Sequence, residues 1–348
     1  MIEDFTPRPL LARLAGTPVP RLWCPPLTHY ADDGSLDLSR MAAHWDHLAG
    51  HVRGLLVPGS TGDAWEMDDG EVTVLLDAAL DLAATRPVRL LLGALKPDAE
   101  TTLAAIDGML GLLRRRTGED DALAALAASR VAGFTVCAPT GEGPSDEMME
   151  SALGQVLETG LPVALYQLPQ ITRNEMSPAL MSRLADRHPN LVLFKDSSGG
   201  DRVARSAGRP DGVFMMRGAE GGYAGWLREA GGPYHGWLLS TANCFPRELD
   251  RIVTDLEAGR ATEAAALSDR LTGVVDGVFG LVAGLPDGNA FANANKAIDH
   301  FMAHGAGASR VAPPRLHAGS RLSADVIEGT GTILAEAGLV PKRGYLAR

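Results

Sequence analysis

Short apolar runs alternate with longer amphipathic stretches along most of the chain. Nearly continuous hydrophobicity over a few residues is typical of parallel strands that are buried on both faces. We predict eight strands, at residues 21–24, 54–57, 88–93, 134–137, 163–166, 191–194, 213–216 and 235–240. A helical pattern follows each strand, at residues 38–51, 68–84, 98–116, 145–158, 177–187, 202–206, 221–230 and 246–257.

Eight strand–helix units in this order predict an α/β fold, specifically a (β/α)8 TIM barrel. An open, doubly wound sheet is the alternative, but no Gly-x-Gly-x-x-Gly segment follows the first strand. Three further helical patterns remain, at residues 262–282, 292–304 and 323–337. We therefore predict a barrel over residues 1–258, with a C-terminal helical extension over 259–348 packed on it.

Composition and charge narrow the classes of function. The chain has 348 residues, of which 45% are hydrophobic, enough for a sizeable core. Its net charge of -11 argues against a nucleic-acid or acidic-membrane partner. Three cysteines do not form a disulfide framework, and no stretch is typical of a signal peptide or a membrane span. We expect a cytoplasmic protein.

Lys195 directly follows the sixth predicted strand, and chemistry in such barrels occurs where the strands end. It is one of only four lysines among 32 basic residues. Desolvation lowers the pKa of a lysine, and the neutral amine can attack a ketone. The alternative is a lysine that merely extends to solvent, and spacing alone does not separate the two interpretations.

Two other strand ends carry candidate chemistry. Tyr166 ends the fifth strand, next to the strand of Lys195, and its phenol could shuttle a proton. Gly59, Ser60 and Thr61 follow the second strand, and a short loop of glycine and hydroxyl residues can hold a carboxylate. The alternatives are a core aromatic with a satisfied hydroxyl and an ordinary turn.

Taken together, these segments resemble the dihydrodipicolinate synthase / N-acetylneuraminate lyase family of Schiff-base-forming class I aldolases. The resemblance runs over about residues 21–315. Residues 59–63 resemble its Gly-(Ser/Thr)-Thr-Gly-Glu loop, 165–169 its Tyr-Asn-x-Pro segment, and 193–199 its Lys-Asp-Ser-Ser-Gly segment. Residues 218–220, 240–246 and 293–297 also resemble family segments.

This resemblance implies roles for five residues. Lys195 would form the Schiff base, and Tyr166 would shuttle protons. Gly59, Ser60 and Thr61 would bind the carboxylate of a 2-oxo acid. The resemblance also implies a homo-oligomer, either a dimer or a tetramer.

The chain departs from the family at two positions. The synthases have an arginine two residues past the proline of the tyrosine segment, where this chain has Ile171. We therefore do not expect dihydrodipicolinate synthase activity. The family usually has a relay tyrosine soon after the fourth strand, but residues 137–141 contain none. The relay is then shortened, rebuilt from Thr140 or Ser60, or lost.

Several polar residues at strand ends are candidates for binding the distal part of the substrate. They are Arg217, Gly218, Glu220, Thr140 and Ser240, with Lys96, Arg173, His29, Tyr30, Trp65 and Glu66 as lesser ones. Together they suggest a polar distal group that is acidic or hydroxylated. Arg217 is the main candidate for a distal anion.

The sequence predicts a lyase that acts on pyruvate or a 2-oxo-3-deoxy sugar acid, by carbon–carbon cleavage, condensation or dehydration. No metal or organic cofactor is required, because the lysine iminium itself is the electron sink. His44, His47 and His51 share one helix face but lack a matching carboxylate, so we expect no metal site. A non-catalytic barrel that binds a sugar acid is the alternative, and a phosphorylated-sugar site is ranked last because Glu220 would repel phosphate.

Overall fold

Eight parallel strands close into a barrel in the computed structural model, which describes residues 5–347. The strands are β1 (Leu22–Cys24), β2 (Gly54–Val57), β3 (Arg89–Gly93), β4 (Val131–Cys137), β5 (Val163–Gln167), β6 (Leu191–Asp196), β7 (Phe214–Arg217) and β8 (Gly236–Leu238). Each strand pairs in parallel with the next one along the chain, and β8 pairs with β1. The predicted (β/α)8 fold is confirmed.

The helices before and between the strands mostly begin at predicted positions. They are α1 (Pro9–Ala15), α2 (Leu38–Ala49), α3 (Asp69–Ala84), α4 (Ala99–Thr117), α5 (Ala122–Ala128), α6 (Asp146–Leu157), α7 (Pro169–Thr172), α8 (Pro178–Arg187) and α9 (Pro246–Glu257). Six of them begin after an Asp or Ser whose side chain accepts a hydrogen bond from a backbone N–H of the first turn: Asp37, Asp68, Asp98, Asp121, Ser145 and Ser177. Such caps satisfy amides that would otherwise lack acceptors.

Two predicted helices are wrong. Residues 202–206 form turns, and residues 221–230 contain two short 3-10 helices, Tyr223–Trp226 and Arg228–Ala230. For residues 221–230 the reason is local, because Gly221 and Gly222 have φ values of +82° and +59°, which an α-helix does not accept. The layer of α-helices around the barrel is therefore interrupted after β6 and β7.

The N-terminal helix α1 was not predicted from the sequence. Its Leu11 and Leu14 are buried, and it contacts β4 and β6. Arg8, just before it, donates to the carbonyls of Ala185 and His188, which precede β6. This segment therefore lies at the N-terminal end of the strands, and the opposite end stays available for a site.

Three helices follow the barrel: α10 (Ala261–Val282), α11 (Ala290–His304) and α12 (Ala324–Glu336). Most of α11 is buried, and it contacts the segments 60–62 and 240–243 that follow β2 and β8. Asp299 of α11 pairs with Arg40 of α2 at 2.6 Å and accepts from Tyr345 at 2.9 Å. The extension is thus docked at the C-terminal ends of the strands. Within residues 5–347, no helix is both long and apolar enough to cross a membrane.

Candidate active site

Lys195 and Tyr166 lie side by side near the ends of β6 and β5. They are register partners in the barrel, so their side chains project from the same face. The Nζ atom of Lys195 lies 3.8 Å from the centroid of the Tyr166 ring. Both side chains are buried among the ends of the strands. The structure therefore brings together the two residues that the sequence marked as the candidate amine and proton shuttle.

Burial changes the acidity of the Lys195 amine. Desolvation lowers its pKa to about 7, and electrostatic interactions with Cys137 and Glu220 work against this decrease. A substantial fraction of the amine is then neutral near pH 7. Only the neutral form has the lone pair needed to attack a carbonyl carbon.

The pKa of the Tyr166 hydroxyl shifts in the opposite direction. Burial raises its pKa, Cys137 adds to the increase, and the hydroxyls of Ser197 and Ser60 oppose it. The phenol is therefore protonated at neutral pH. It can donate a proton to a hydroxyl group that departs from a carbon atom near Lys195, and it can accept a proton in a later step.

Gly218 lies directly against the lysine side chain. A Cβ atom at this position would be 2.6 Å from Cε of Lys195 and 2.2 Å from Oγ of Ser197. Those separations are well inside van der Waals contact. An added side chain would force Lys195 and Ser197 to shift, so Gly218 contributes space to the site.

Glu220 supplies a negative charge close to the amine. Its carboxylate accepts hydrogen bonds from the Ser240 hydroxyl at 2.6 Å and the Thr241 hydroxyl at 2.6 Å. It also accepts from the Thr241 amide at 3.1 Å and the Tyr223 hydroxyl at 2.9 Å. These donors hold the carboxylate in one orientation. Gly218, Glu220 and Ser240 are therefore all brought into the neighbourhood of Lys195.

The segment after β2 forms a tight turn, with a 3-10 helix at Ser60–Gly62. Trp65 Nε1 donates to Ser60 Oγ at 2.9 Å, and Asn289 Nδ2 donates to the Ser60 carbonyl at 2.9 Å. Among residues 5–347, the backbone amides of Ser60 and Thr61 donate to no protein acceptor. Adjacent free amides beside hydroxyl groups form a small concavity suited to an anion such as a carboxylate.

A buried ion pair next to this turn was not predicted from the sequence. Lys296 of α11 lies 2.8 Å from the carboxylate of Asp63, and both side chains are almost fully buried. Tyr30 donates to the same carboxylate at 3.0 Å. The pair ties the extension to the turn at residues 60–62. Two signals were available: Lys296 is one of only four lysines, and residues 59–63 and 293–297 both lie in segments that resemble the family.

Arg217, the main candidate for a distal anion, does not join this group. It pairs in register with Asp196, the residue after Lys195, so it projects from the opposite face of the sheet. Its Nε atom lies 3.1 Å from Asp201, and Nη1 donates to the Gly221 carbonyl at 2.9 Å. These bonds fix a structural arginine outside the barrel interior.

Other distal candidates are also engaged elsewhere. Thr140 is exposed, and its amide donates to the carbonyl of Pro97 at 2.8 Å. Lys96 forms an ion pair with Asp69 at 2.5 Å. Arg173 is largely exposed and lies 3.9 Å from Glu142. Of the polar distal candidates, Glu220 and Ser240 therefore lie near Lys195 but bond to each other, whereas Thr140, Lys96 and Arg173 are engaged elsewhere.

The histidines of α2 have separate partners. His44 hydrogen-bonds with His29 at 3.1 Å and with the Asn243 carbonyl at 3.0 Å, whereas His51 pairs with Asp250 at 2.9 Å. Over the part of the chain that the structure describes, no group of three His, Cys, Asp or Glu side chains is arranged to hold a metal ion. The cysteines are free and buried: Cys24, Cys137 and Cys244.

A family model and the sequence relatives of this chain point to the same family. The model of the dihydrodipicolinate synthetase family matches residues 121–286. The chain is 30% identical to a 4-hydroxy-tetrahydrodipicolinate synthase of Azoarcus sp. (strain BH72) over 254 residues, which is 71% of this chain and 79% of that protein. It is 28% identical to 4-hydroxy-tetrahydrodipicolinate synthase 1 of Streptomyces coelicolor over 334 residues, covering 92% of this chain and 96% of that protein.

Solved structures show the same fold. YagE, a prophage protein of the dihydrodipicolinic acid synthase family from E. coli K12 in complex with pyruvate, has a TM-score of 0.71 at 22% identity. The match covers 92% of this chain and 99% of that one. A dihydrodipicolinate synthase from Thermotoga maritima has a TM-score of 0.70 at 18% identity, with coverage of 92% and 99%. Together, the sequence relatives and the shared barrel show that the chain belongs to the dihydrodipicolinate synthetase family of aldolase-type lyases.

Proposed function

We propose that Lys195 forms a Schiff base with the ketone of pyruvate or of a 2-oxo-3-deoxy (sugar) acid. The observation that carries this proposal is the buried Lys195 amine, which has a pKa lowered to about 7 and lies 3.8 Å from the Tyr166 ring. A buried amine with a depressed pKa is the usual form of a catalytic Schiff-base lysine.

The proposed mechanism begins with substrate binding. The free amides of Ser60 and Thr61 and the Ser60 hydroxyl hold the carboxylate, and Gly59 lets this segment pack against Pro25, where an added Cβ would be only 2.5 Å away. The neutral Lys195 amine attacks the ketone carbon to give a carbinolamine. Tyr166 donates a proton to the departing hydroxyl, so that water leaves and a protonated imine remains.

The imine then draws electrons away from the neighbouring carbon. Either the C3–C4 bond breaks while the proton of a C4 hydroxyl passes to a base, or a β-hydroxyl leaves as water after C3 loses a proton. Water then attacks the imine, and Tyr166 takes back from this water the proton that it gave earlier, so that the product and the free Lys195 amine are released. Cleavage, condensation and dehydration all share this intermediate.

We do not assign to this chain the synthase reaction in the names of its relatives. Ile171 stands where the resemblance places a carboxylate-binding arginine, and an alkyl side chain cannot pair with a carboxylate. The alternative is a barrel that binds a sugar acid without turnover, which the absence of a tyrosine in residues 137–141 favours. That alternative predicts reversible binding and no covalent intermediate.

Borohydride reduction in the presence of pyruvate tests the proposal directly. We expect the intact mass to rise by one reduced pyruvate, and peptide mapping to place the adduct on Lys195. Lys195→Arg is the matched control, because it keeps the positive charge and removes the nucleophilic amine. No increase in mass, or an equal increase in the variant, would contradict the Schiff-base step.

We also propose that the protein acts in the cytoplasm as a homo-oligomer. Three free cysteines that are buried rather than paired support a reducing compartment. The family resemblance supports a dimer or tetramer. Sedimentation velocity of the purified protein, with and without pyruvate, measures the oligomeric state, and a single monomeric species would contradict this proposal.

A further inference from the structure

A second hydrophobic cluster surrounds Tyr166, separate from the main core. Its buried members are Ala64, Leu95, Cys137, Tyr166 and Leu168, and Trp65, Ile171 and Phe291 pack against it. We call these eight residues the apolar rim. They come from the segments after β2 and β3, the ends of β4 and β5, the segment after β5, and the start of α11.

The apolar rim begins at the proposed reaction centre. Tyr166 is a member of the rim, and its ring lies 3.8 Å from the Lys195 amine. The other members follow the C-terminal ends of the strands, which is the end where a barrel of this type binds its substrate. A substrate attached to Lys195 through its ketone would therefore extend along this rim.

Part of the rim is left open to solvent. Trp65, Ile171 and Phe291 are only half-buried, although each packs against the buried members. Exposed apolar surface next to a buried reactive group is characteristic of a binding site that a ligand completes. Covering such surface is favourable by about 25 cal/mol for each Å².

The cations on the loops near the rim are already paired, and the N–H of Trp65 already has an acceptor. Lys96 and Arg173, on neighbouring loops, face Asp69 and Glu142. The Trp65 N–H is bonded to Ser60. A carboxylate or a chain of hydroxyls placed here would lose its hydrogen bonds to water without replacing them, which is unfavourable.

We infer that the substrate carries an apolar group, an aromatic ring or a branched alkyl chain, beyond its 2-oxo acid head. This inference rests on the proposed function and names the substrate class for the same site. It replaces the polar distal group that the sequence suggested, because the structure turns Arg217 away and places Ile171 and Phe291 at the rim.

The reaction is then the reversible cleavage of a 4-hydroxy-2-oxo acid into pyruvate and an apolar aldehyde. In cleavage, the proton of the C4 hydroxyl passes to a base and the C3–C4 bond breaks. The bonding electrons enter the Lys195 imine to form an enamine, and the aldehyde departs. The enamine takes a proton at C3, and water releases pyruvate. The reaction as written requires no oxidant, reductant or metal.

Condensation of pyruvate with different aldehydes tests the substrate class. Benzaldehyde and isobutyraldehyde are compared with glyceraldehyde and succinic semialdehyde, and the 4-hydroxy-2-oxo acid product is measured by mass spectrometry. We expect kcat/KM to be at least about tenfold higher for the apolar aldehydes. Higher values for the hydroxylated or acidic aldehydes would overturn the inference while leaving the Schiff base intact.

Binding to Lys195→Arg tests the apolar rim without the covalent step. The probes are 2-oxo-4-phenylbutanoate and 2-oxoadipate, which share a 2-oxo acid head and differ in the tail. We expect isothermal calorimetry to give tighter binding of the phenyl compound by about tenfold or more. Equal binding, or tighter binding of 2-oxoadipate, would overturn the inference even if pyruvate trapping fails in the wild type.

One pair of variants separates the apolar rim from a general effect of charge. Ile171→Arg should lower kcat/KM for benzaldehyde and raise it for succinic semialdehyde. Met148→Arg is the matched control, because Met148 is 64% exposed on α6, outside the rim. The two variants should therefore differ in aldehyde preference, with Met148→Arg behaving as the wild type. The same preference in both would contradict a role for the rim.

Discussion

The amino group of Lys195 lies over the face of the Tyr166 ring, 3.8 Å from the ring centroid. An aromatic face attracts a positive charge through the quadrupole of its π-system. Burial acts against that charge and lowers the pKa of the amine to about 7. The two effects suit different stages of the proposed reaction, since burial favours the neutral nucleophile and the ring stabilises the cationic imine that follows.

The first prediction concerns pH. Below its pKa of about 7, Lys195 is mostly protonated, so each unit of increasing pH should raise the rate of imine formation about tenfold. Above that value the rate should level off. The measurement is the initial rate of pyruvate trapping by borohydride at fixed pyruvate, and a rate that keeps rising to pH 10 would contradict the lowered pKa.

Glu220 provides a second prediction about the same profile. Its negative charge favours protonated Lys195 and therefore raises the pKa of the amine. In Glu220→Gln this contribution is lost, so the midpoint of the pH profile should move to lower pH. A midpoint that moves upward would contradict the assigned sign. Glu257→Gln is the control, since that carboxylate pairs with Arg21 at the barrel exterior.

The third prediction concerns the space around the lysine. Gly218→Ala would place a methyl group 2.6 Å from Lys195 Cε, so the amine must move. Displacing a reacting group by about 1 Å can lower a rate about a hundredfold. We expect this loss in the trapping rate. Gly225→Ala is the matched control, because its added Cβ would meet nothing within 4 Å and its φ is not in the left-handed region.

The fourth prediction concerns the buried pair of Lys296 and Asp63. Lys296→Met leaves the Asp63 carboxylate buried without its cation, which typically costs about 3 kcal/mol or more. Denaturant unfolding measures this change in the free energy of unfolding. Lys342→Met removes the same side-chain type at an exposed position and should change it by less than about 0.5 kcal/mol. Similar losses in both variants would contradict the role of the pair.

The fifth prediction links stability to pH through His235. The backbone N–H of Met215 donates to His235 Nδ1 at 2.9 Å, so the folded state uses the neutral imidazole as an acceptor. Burial, assisted by Arg228, lowers the pKa of His235 from 6.5 to about 3. The stabilisation is complete above pH 6.5 and is lost as the pH falls toward 3, because the unfolded chain binds the proton first.

At pH 5 the His235 contribution should lower the free energy of unfolding by about 2 kcal/mol relative to pH 7. His235→Asn keeps an acceptor near the Met215 amide but does not titrate. Its loss of stability between pH 7 and pH 5 should therefore be smaller than that of the wild type. Part of the slope should remain, because burial also lowers the pKa of His47, to about 4. An identical slope in both proteins would contradict the prediction.

The barrel could be predicted from the sequence because the pattern of a short apolar run followed by a helix repeats eight times. Eight apolar runs of similar length leave few other architectures, and the structure places a strand at each of them. The helix predicted at 221–230 is absent for a local reason. Gly221 and Gly222 adopt positive φ, and a pattern of hydrophobic residues cannot show that backbone state.

Some features of the candidate site were likewise predictable from the sequence, and others were not. The proximity of Lys195 and Tyr166 was predictable because they lie at the ends of adjacent strands, where position in sequence determines position in space. Arg217 was misjudged, although the alternation of strand faces was available as a signal: it pairs with the residue after Lys195 and so faces away. The bond between Lys296 and Asp63 joins residues 233 positions apart, a separation for which a single sequence carries no pairing signal.

Helix α11 and its N-cap residue contact the segment after β2 twice, through Asn289 at the Ser60 carbonyl and through Lys296 at Asp63. Coupling between two parts of a protein acts equally in both directions. If a carboxylate binds the amides of Ser60 and Thr61 as proposed, we expect it also to slow the opening of α11, and hydrogen exchange in that helix should then report on occupancy of the site. The C-terminal extension would then register the substrate without touching the carbon atoms that react.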